Sequence, residues 1–372
     1  MKMKNKYYLY LIFTTGIISA YYHAYQLMHN WPWILLYSDI VVFVEKLFAP
    51  GFPYVNKIIE YPVISGVFMQ FMANLSNDYF GYYIFTCIFL VLAAFISTKF
   101  LYKIAENKKM ENFLIYWIFA PSMFVFLIYN WDIIAVMFFI IALYFMNKNK
   151  NLWASFFLAL GFCAKFYPAI YLIPLIIKNR KFFWGIIKIL TVFIFTALLV
   201  NLPFMLKNFD VWKFFYIFNN LRWPNCDSIW WVIKAALPWL AVTHINIISL
   251  ILFVISSVII IYKYRKQSYI VLCCIITLLF LLTNKIFSPQ YILWILPFFV
   301  LIPEIGKKLF YSLELTNLAV LSSVFLLTYF EPFNQFYAYQ NYFFVILRHV
   351  ILIVILIKLL KIKRPDALPQ LS

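Results

Sequence analysis

Residues 37–63 read YSDIVVFVEKLFAPGFPYVNKIIEYPV, and they lie between the first two strongly apolar runs of the chain. The stretch carries the acids Asp39, Glu45 and Glu60 and the helix breakers Pro50, Gly51, Pro53 and Pro62. So many charges and interruptions make it unfit to cross hydrocarbon. The longer segment around it, residues 25–79, therefore reads as a large loop outside the bilayer, and the flanking runs read as membrane helices. The rest of the chain can be read by asking which residues reach the same side as Asp39.

Composition sets the class. Of 372 residues, 66% are hydrophobic and 12% charged, with 43 Phe, 28 Tyr and 12 Trp, and the mean hydropathy is +0.89. A soluble core cannot hide that much apolar surface, so the expected fold is all-α, a polytopic helical membrane bundle forming a single domain over residues 1–372. The net charge of +18 does not imply nucleic acid, because the basic residues form short clusters between apolar runs of spanning length. Cys87, Cys163, Cys226, Cys273 and Cys274 form no CxxC pair, which argues against a disulfide framework or a zinc site. Bulky Tyr21, Tyr22 and His23 stand where a signal peptide would be cut, so the N-terminal run reads as an uncleaved first helix.

Apolar segments that cross the hydrocarbon, or nearly so, fall at about 7–24, 80–102, 112–129, 131–147, 151–165, 168–178, 182–202, 246–263, 268–284, 289–303, 309–330 and 341–361. That predicts roughly 10 to 12 transmembrane helices. The pair at 151–165 and 168–178 is interrupted by Lys165 and Pro168 and reads as partial spans, or as one hairpin. Residues 61–76 and 229–242 read as interfacial or re-entrant pieces. Alternating sides from a cytoplasmic N-terminus with Lys2, Lys4 and Lys6 puts most basic residues in the cytoplasm. These include Lys99 and Lys103 with Lys108 and Lys109, Lys148 and Lys150, Lys178 to Lys181, Lys263 to Lys266, Lys307 and Lys308, and Lys358 to Arg364. The unusual polar residues then share the outer side. They are Asp39, Glu45, Glu60, Asp78, the NWD at 130–132, the KFYP at 165–168, the loop 203–245, the NKIFSPQY at 284–291, and Glu331. The loops 25–79 and 203–245 are expected to roof an outward cavity. Heavy use of Ile, Phe, Lys and Asn suggests an AT-rich genome, and with it a prokaryotic plasma membrane.

Each polar candidate has two readings. Asp39 is the N-cap of a short helix over 40–48 or a general base in the cavity, and a carboxylate at a helix N-terminus can be both. Glu60, ahead of Pro62, is an interfacial surface carboxylate or an orienting group. Asp132 caps a span after Asn130 and Trp131 or faces a polar cavity. Lys165, Lys285 and Arg348 (beside His349) are cations at membrane depth. Such charges either snorkel or require an anion, and a lipid phosphate is the simplest anion for all three. Trp31, Trp33, Trp230 and Trp231 can stack on a sugar or anchor the chain at the interface. Only seven glycines occur and no phosphate-cradling pattern is present, which argues against direct use of ATP or a nucleotide sugar.

YSDI, the G-x-PY at 51–54, EYP at 60–62, NWD, K-F-YP and NKIFSPQYILW, in that order over most of the chain to about residue 300, resemble the GT-C superfamily of membrane glycosyltransferases. The similarity is greatest to the polyprenol-phosphate-mannose-dependent mannosyltransferases and the catalytic subunit of the GPI first mannosyltransferase. The resemblance implies an inverting transfer of a hexose, mannose in those groups, from a polyprenyl phosphate carrier to a lipid- or glycan-linked acceptor on the non-cytoplasmic face. Together with the reading of the polar residues it leads to expected catalytic roles for Asp39, Glu60 and Asp132, a donor-phosphate site at Lys165, Lys285 and Arg348, and substrate contacts from Tyr61, Asn130, Tyr167, Asn284, Ser288, Gln290 and Tyr291. The family often carries a second acid close to the first-loop Asp and a second proline after EYP. Here Ile40 and Val41 follow Asp39, so no metal ligand set is specified, and Val63 follows Pro62. A transporter or flippase of an anionic lipid is the competing class. It predicts polar groups on both faces and a repeat between halves, neither of which the sequence contains. A non-catalytic subunit of an envelope assembly complex is a third reading.

Overall fold

The computed structural model describes residues 7–29, 36–107, 110–329 and 334–362. Trp31, Trp33, Glu331 and the clustered lysines at 2–6 and 108–109 lie outside the described residues, as do Lys363 and Arg364. Among the described residues the chain is helical, with no β-strand beyond a single bridge between Pro53 and Lys57. In chain order the α-helices are α1 Tyr7–His29, α2 Asp39–Val42, α3 Val44–Phe48, α4 Val63–Asn74, α5 Tyr79–Glu106, α6 Ile115–Ile118, α7 Pro121–Phe126, α8 Asp132–Asn147 and α9 Asn151–Ala164. They continue as α10 Leu172–Asn179, α11 Phe183–Lys207, α12 Phe209–Leu221, α13 Ile229–Ala236, α14 Val242–Lys263, α15 Tyr269–Thr283, α16 Leu296–Leu301, α17 Lys307–Tyr329 and α18 Asn334–Lys361. Helices α5, α11, α14, α17 and α18 contain stretches long and apolar enough to cross a bilayer. The protein is an all-α polytopic membrane protein.

The exposed faces of α11 and α14 carry Phe195, Leu199, Ile251 and Ile255 without a protein neighbour to cover them, an arrangement suited to hydrocarbon and not to water. The core lies between α8, α15 and the short helices after them, where Phe139, Leu143, Leu272, Ile276 and Leu296 are fully buried.

Several expected spans are broken, each for a local reason. The run 112–129 divides into a 3-10 turn at Glu111–Leu114, α6 and α7, because Pro121 cannot continue a helix and instead starts one. The amide this leaves at Ser122 is taken up by Glu314 Oε2 at 2.7 Å, a carboxylate from α17. The run 289–303 becomes a 3-10 turn at Pro289–Trp294 followed by α16. Helix α9 ends at Ala164, whose carbonyl accepts from Ser65 Oγ at 2.8 Å, and Lys165 follows in an extended conformation. A 3-10 turn over Tyr167–Tyr171 then leads into α10.

Loops collect at two ends of the bundle. At one end lie the basic connections. Asn151 Nδ2 donates to Asn179 Oδ1 at 2.8 Å, Lys178 Nζ to the Gln267 carbonyl at 2.7 Å, Gln267 Nε2 to the Ile362 carbonyl at 2.9 Å, and Lys358 Nζ to the Ile305 carbonyl at 3.2 Å. At the other end, α8 begins, α15 finishes, and the segments containing Asp39, Lys165 and Lys285 meet around one cavity.

Candidate active site

The EYP turn is built by close approach. Tyr54 has φ 62°, and its hydroxyl contacts the carbonyl oxygens of Tyr61 at 2.7 Å and Pro62 at 2.8 Å. It can do so only because residue 66 is glycine, where a Cβ would stand 1.9 Å from that hydroxyl. The turn aims Tyr61 back at α2. There Ser38, not Asp39, is the N-cap: its Oγ accepts from the Ile40 amide at 3.2 Å and donates to the Ile128 carbonyl at 2.8 Å. The capping alternative for Asp39 is thereby filled by its neighbour. Asp39 is the first residue of α2, and its side chain lines the cavity.

Asp39 Oδ1 accepts from the Tyr37 hydroxyl at 2.8 Å and Oδ2 from the Tyr61 hydroxyl at 2.7 Å. A carboxylate has about four lone-pair directions, so two remain for another donor. Burial pushes the Asp39 carboxyl above its ordinary range, and the two tyrosine hydrogen bonds and the nearby Lys165 charge oppose that rise.

Lys165 is not a free cation. It is ion-paired with Asp132 Oδ1, and Asp132 Oδ2 accepts from Trp294 Nε1 at 3.2 Å. Asp132 is fully buried and does not line the cavity, so its expected catalytic role is corrected to neutralising and placing Lys165. Nor is it the cap of α8: Asn130 Oδ1 accepts the Asp132 amide at 2.9 Å. That use, with full burial behind the wall, removes Asn130 from the substrate contacts. The ammonium of Lys165 lies 5.0 Å from the Tyr291 ring centroid and 5.5 Å from that of Tyr61. Trp294 is sandwiched between Tyr167 and Tyr291, each at 3.9 Å and nearly parallel. The cavity therefore has a stiff aromatic floor.

The cavity encloses about 930 Å³. Of the expected residues, Asp39, Glu60, Tyr61, Lys165, Tyr167, Asn284, Lys285, Ser288, Gln290 and Tyr291 line it. Glu60 pairs with Lys46 at 3.4 Å with both side chains over a third exposed, a solvated rim contact. Lys285 Nζ donates to the Asn220 carbonyl at 2.9 Å and forms no ion pair among the described residues.

Arg348 is the clearest correction. It is fully buried behind the wall and donates to Asn317 Oδ1 at 2.7 Å, the Phe287 carbonyl at 2.9 Å and the Asp227 carbonyl, with its guanidinium 3.7 Å from the Phe287 ring. Its cost of burial is met by backbone dipoles, so it ties the 284–288 loop to the 222–228 loop and does not reach the cavity. Beside Lys285, the cation of the lining that forms no ion pair among the described residues is Arg222. Sequence reasoning missed Arg222 and Asp227, both within LRWPNCDS, although the proline and acid inside that loop were a usable signal. Trp230 and Trp231 lie outside the lining, and Trp230 Nε1 instead donates to the Thr283 carbonyl at 2.7 Å. Phe215, Phe218, Phe280, Leu321 and Phe325 give the cavity an apolar side. Among the described residues no group of three His, Cys, Asp or Glu side chains is placed to hold a metal ion.

The chain matches no protein-family model, and no curated protein is significantly similar to it. What the fold and cavity define is the class: an all-α polytopic membrane protein with a polar, aromatic-floored cavity at one end of its bundle.

Proposed function

We propose that the protein is an inverting membrane glycosyltransferase that moves a hexose from a polyprenyl phosphate carrier to a hydroxyl of a lipid- or glycan-linked acceptor. The observation that carries this reading is that one cavity holds both Asp39, with lone pairs to spare, and the cations Lys285 and Arg222, without carboxylate partners. In this reading Asp39 takes the proton from the acceptor hydroxyl as its oxygen attacks the anomeric carbon. The bond from that carbon to the phosphate oxygen breaks on the opposite face, and the charge that gathers on the leaving prenyl phosphate is met by Lys285 and Arg222. The Tyr167–Trp294–Tyr291 floor supports the sugar, and the apolar side suits the lipid. Mannose is the sugar the resemblance implies, and the outer face of a plasma membrane is the compartment the charge pattern implies.

Purified protein in lipid nanodiscs, incubated with radiolabelled prenyl phosphate hexoses and an extract of membrane acceptors, should transfer label to acceptor. Passage of intact donor across a vesicle membrane, with no label transferred, would instead identify a transporter.

A further inference from the structure

Asp227 is the third acid of the cavity wall, after Asp39 and the rim residue Glu60, and nothing in the reaction as described above uses it. It stands in the loop between α12 and α13, lines the cavity and is 6% exposed, and its Oδ1 has no hydrogen-bond partner among the described residues. Arg348 offsets that charge from nearby without bonding it, because the guanidinium binds the Asp227 main-chain carbonyl and makes no ion pair with its carboxylate. The backbone on either side is fixed as well: Asn225 Nδ2 donates to Ser288 Oγ at 2.9 Å, and Ser228 caps α13 through the Trp231 amide at 3.4 Å. The loop thus holds an acceptor-only group rigidly in place, with Asn225 as a side-chain donor but with Oδ1 left without one, a standing cost wherever water is excluded.

The chemistry of the neighbours selects what would supply the donor. Asp227 repels a phosphate, and Lys285 and Arg222 already offer that group its counter-charge. A sugar ring attached to that phosphate presents neutral hydroxyls close by. We infer that Asp227 accepts a hydrogen bond from a hydroxyl of the sugar being transferred and so sets which sugar the cavity takes, an inference that rests on the glycosyl-transfer reading above. Asp39 is not an alternative reader, since the lone pairs that Tyr37 and Tyr61 leave on it are the ones that take the acceptor proton in that reading.

The test is donor selectivity in nanodiscs. Wild-type protein, Asp227→Ala and Asp227→Asn are each assayed with a prenyl phosphate hexose that the wild type uses, its epimers, and its 2-, 3-, 4- and 6-deoxy analogues. A site built to bond a hydroxyl rejects the analogue that lacks it strongly, so the wild type should lose ~10²-fold or more in kcat/KM on one deoxy donor. Asp227→Ala should be as poor with the parent as with that analogue, its selectivity between the two gone. Asp227→Asn keeps the shape and one acceptor oxygen, should fall between, and carries the test if the alanine variant fails to elute as a single folded species. Variants that discriminate among the donors as the wild type does would make Asp227 a purely structural acid and leave the transferase reading standing. Variants whose loss appears only in the acceptor KM would also overturn the inference. A wild type that transfers no hexose from any donor would overturn both.

Discussion

Asp39 could be singled out from sequence, but not its role, because a carboxylate opening a short helix serves as cap or as base with the same residues around it. The structure separates the two by giving the cap to Ser38. Asp39→Asn should therefore insert and fold like the wild type, bind the prenyl phosphate donor with unchanged Kd, and lose ~10² to 10⁴ in kcat, the usual worth of general-base help. Normal turnover in this variant would remove the base. Because burial raises the Asp39 carboxyl, the acidic limb of kcat/KM should lie above the ordinary carboxylate range near pH ~4, with activity falling as pH drops through that value. Asp227 gives a prediction in stability. Burial pushes it up to about 6 against the opposing charges of Arg348 and Arg222 and the Asn225 hydrogen bond, with Tyr129 and Tyr291 close enough to feel its charge. The folded protein holds that proton more tightly than the unfolded chain, so this contribution is present in full below pH ~4 and is lost as pH rises through about 6. Asp227→Asn has no proton to lose. Its melting temperature should match the wild type near pH 4 and exceed it above pH 6, by an amount worth at most roughly 3 kcal/mol.

At the scale of elements, Lys165 and Lys285 of the three cations expected to converge line the cavity, Arg348 lies behind its wall, and Lys165 and Arg348 each have a counter-group within the protein. Hydropathy says that a cation at membrane depth needs a counter-group, but not which one. Lys165 finds Asp132 on the facing helix, and Arg348 finds carbonyls left free where Pro289 interrupts the chain after the 284–288 loop. Those pairings depend on where broken helices end, which a run of apolar letters does not encode. Arg222 escaped notice for the opposite reason, since a cation in a polar loop looks ordinary until the loop folds over a cavity. Lys285→Ala and Arg222→Ala should each raise the donor KM by about 10-fold or more, the worth of one hydrogen bond to a charged group, and the double variant should exceed either. Arg348→Ala should instead lower the yield of folded protein, because it frees two loops and leaves their carbonyls buried. Donor kinetics unchanged in both single variants would move the phosphate site elsewhere.

At the scale of the whole molecule, the all-α membrane class was legible because it depends on composition and run length alone. The number of spans was not, because a window of apolar residues is blind to continuity, and Pro121 and Pro289 convert expected spans into stacked short helices. Sidedness is a different kind of signal. The basic loops that the charge pattern assigns to the cytoplasm are joined by hydrogen bonds at one end of the bundle, and the cavity opens among loops at the other. This separation gives the orientation a direct test. Trp239, 72% exposed in the loop before α14, and Lys148, exposed in the turn between α8 and α9, mark the two ends. With Cys226 replaced by Ser and the other four cysteines buried, a membrane-impermeant maleimide added to intact cells should label Trp239→Cys, and should label Lys148→Cys only after permeabilisation. An excess of Lys and Arg retains loops in the cytoplasm during insertion, so the opposite pattern would require the chain to break the positive-inside rule at nearly every connection. It would also turn the cavity toward the cytoplasm, where a carrier-bound sugar presented on the outer leaflet could not reach Asp39.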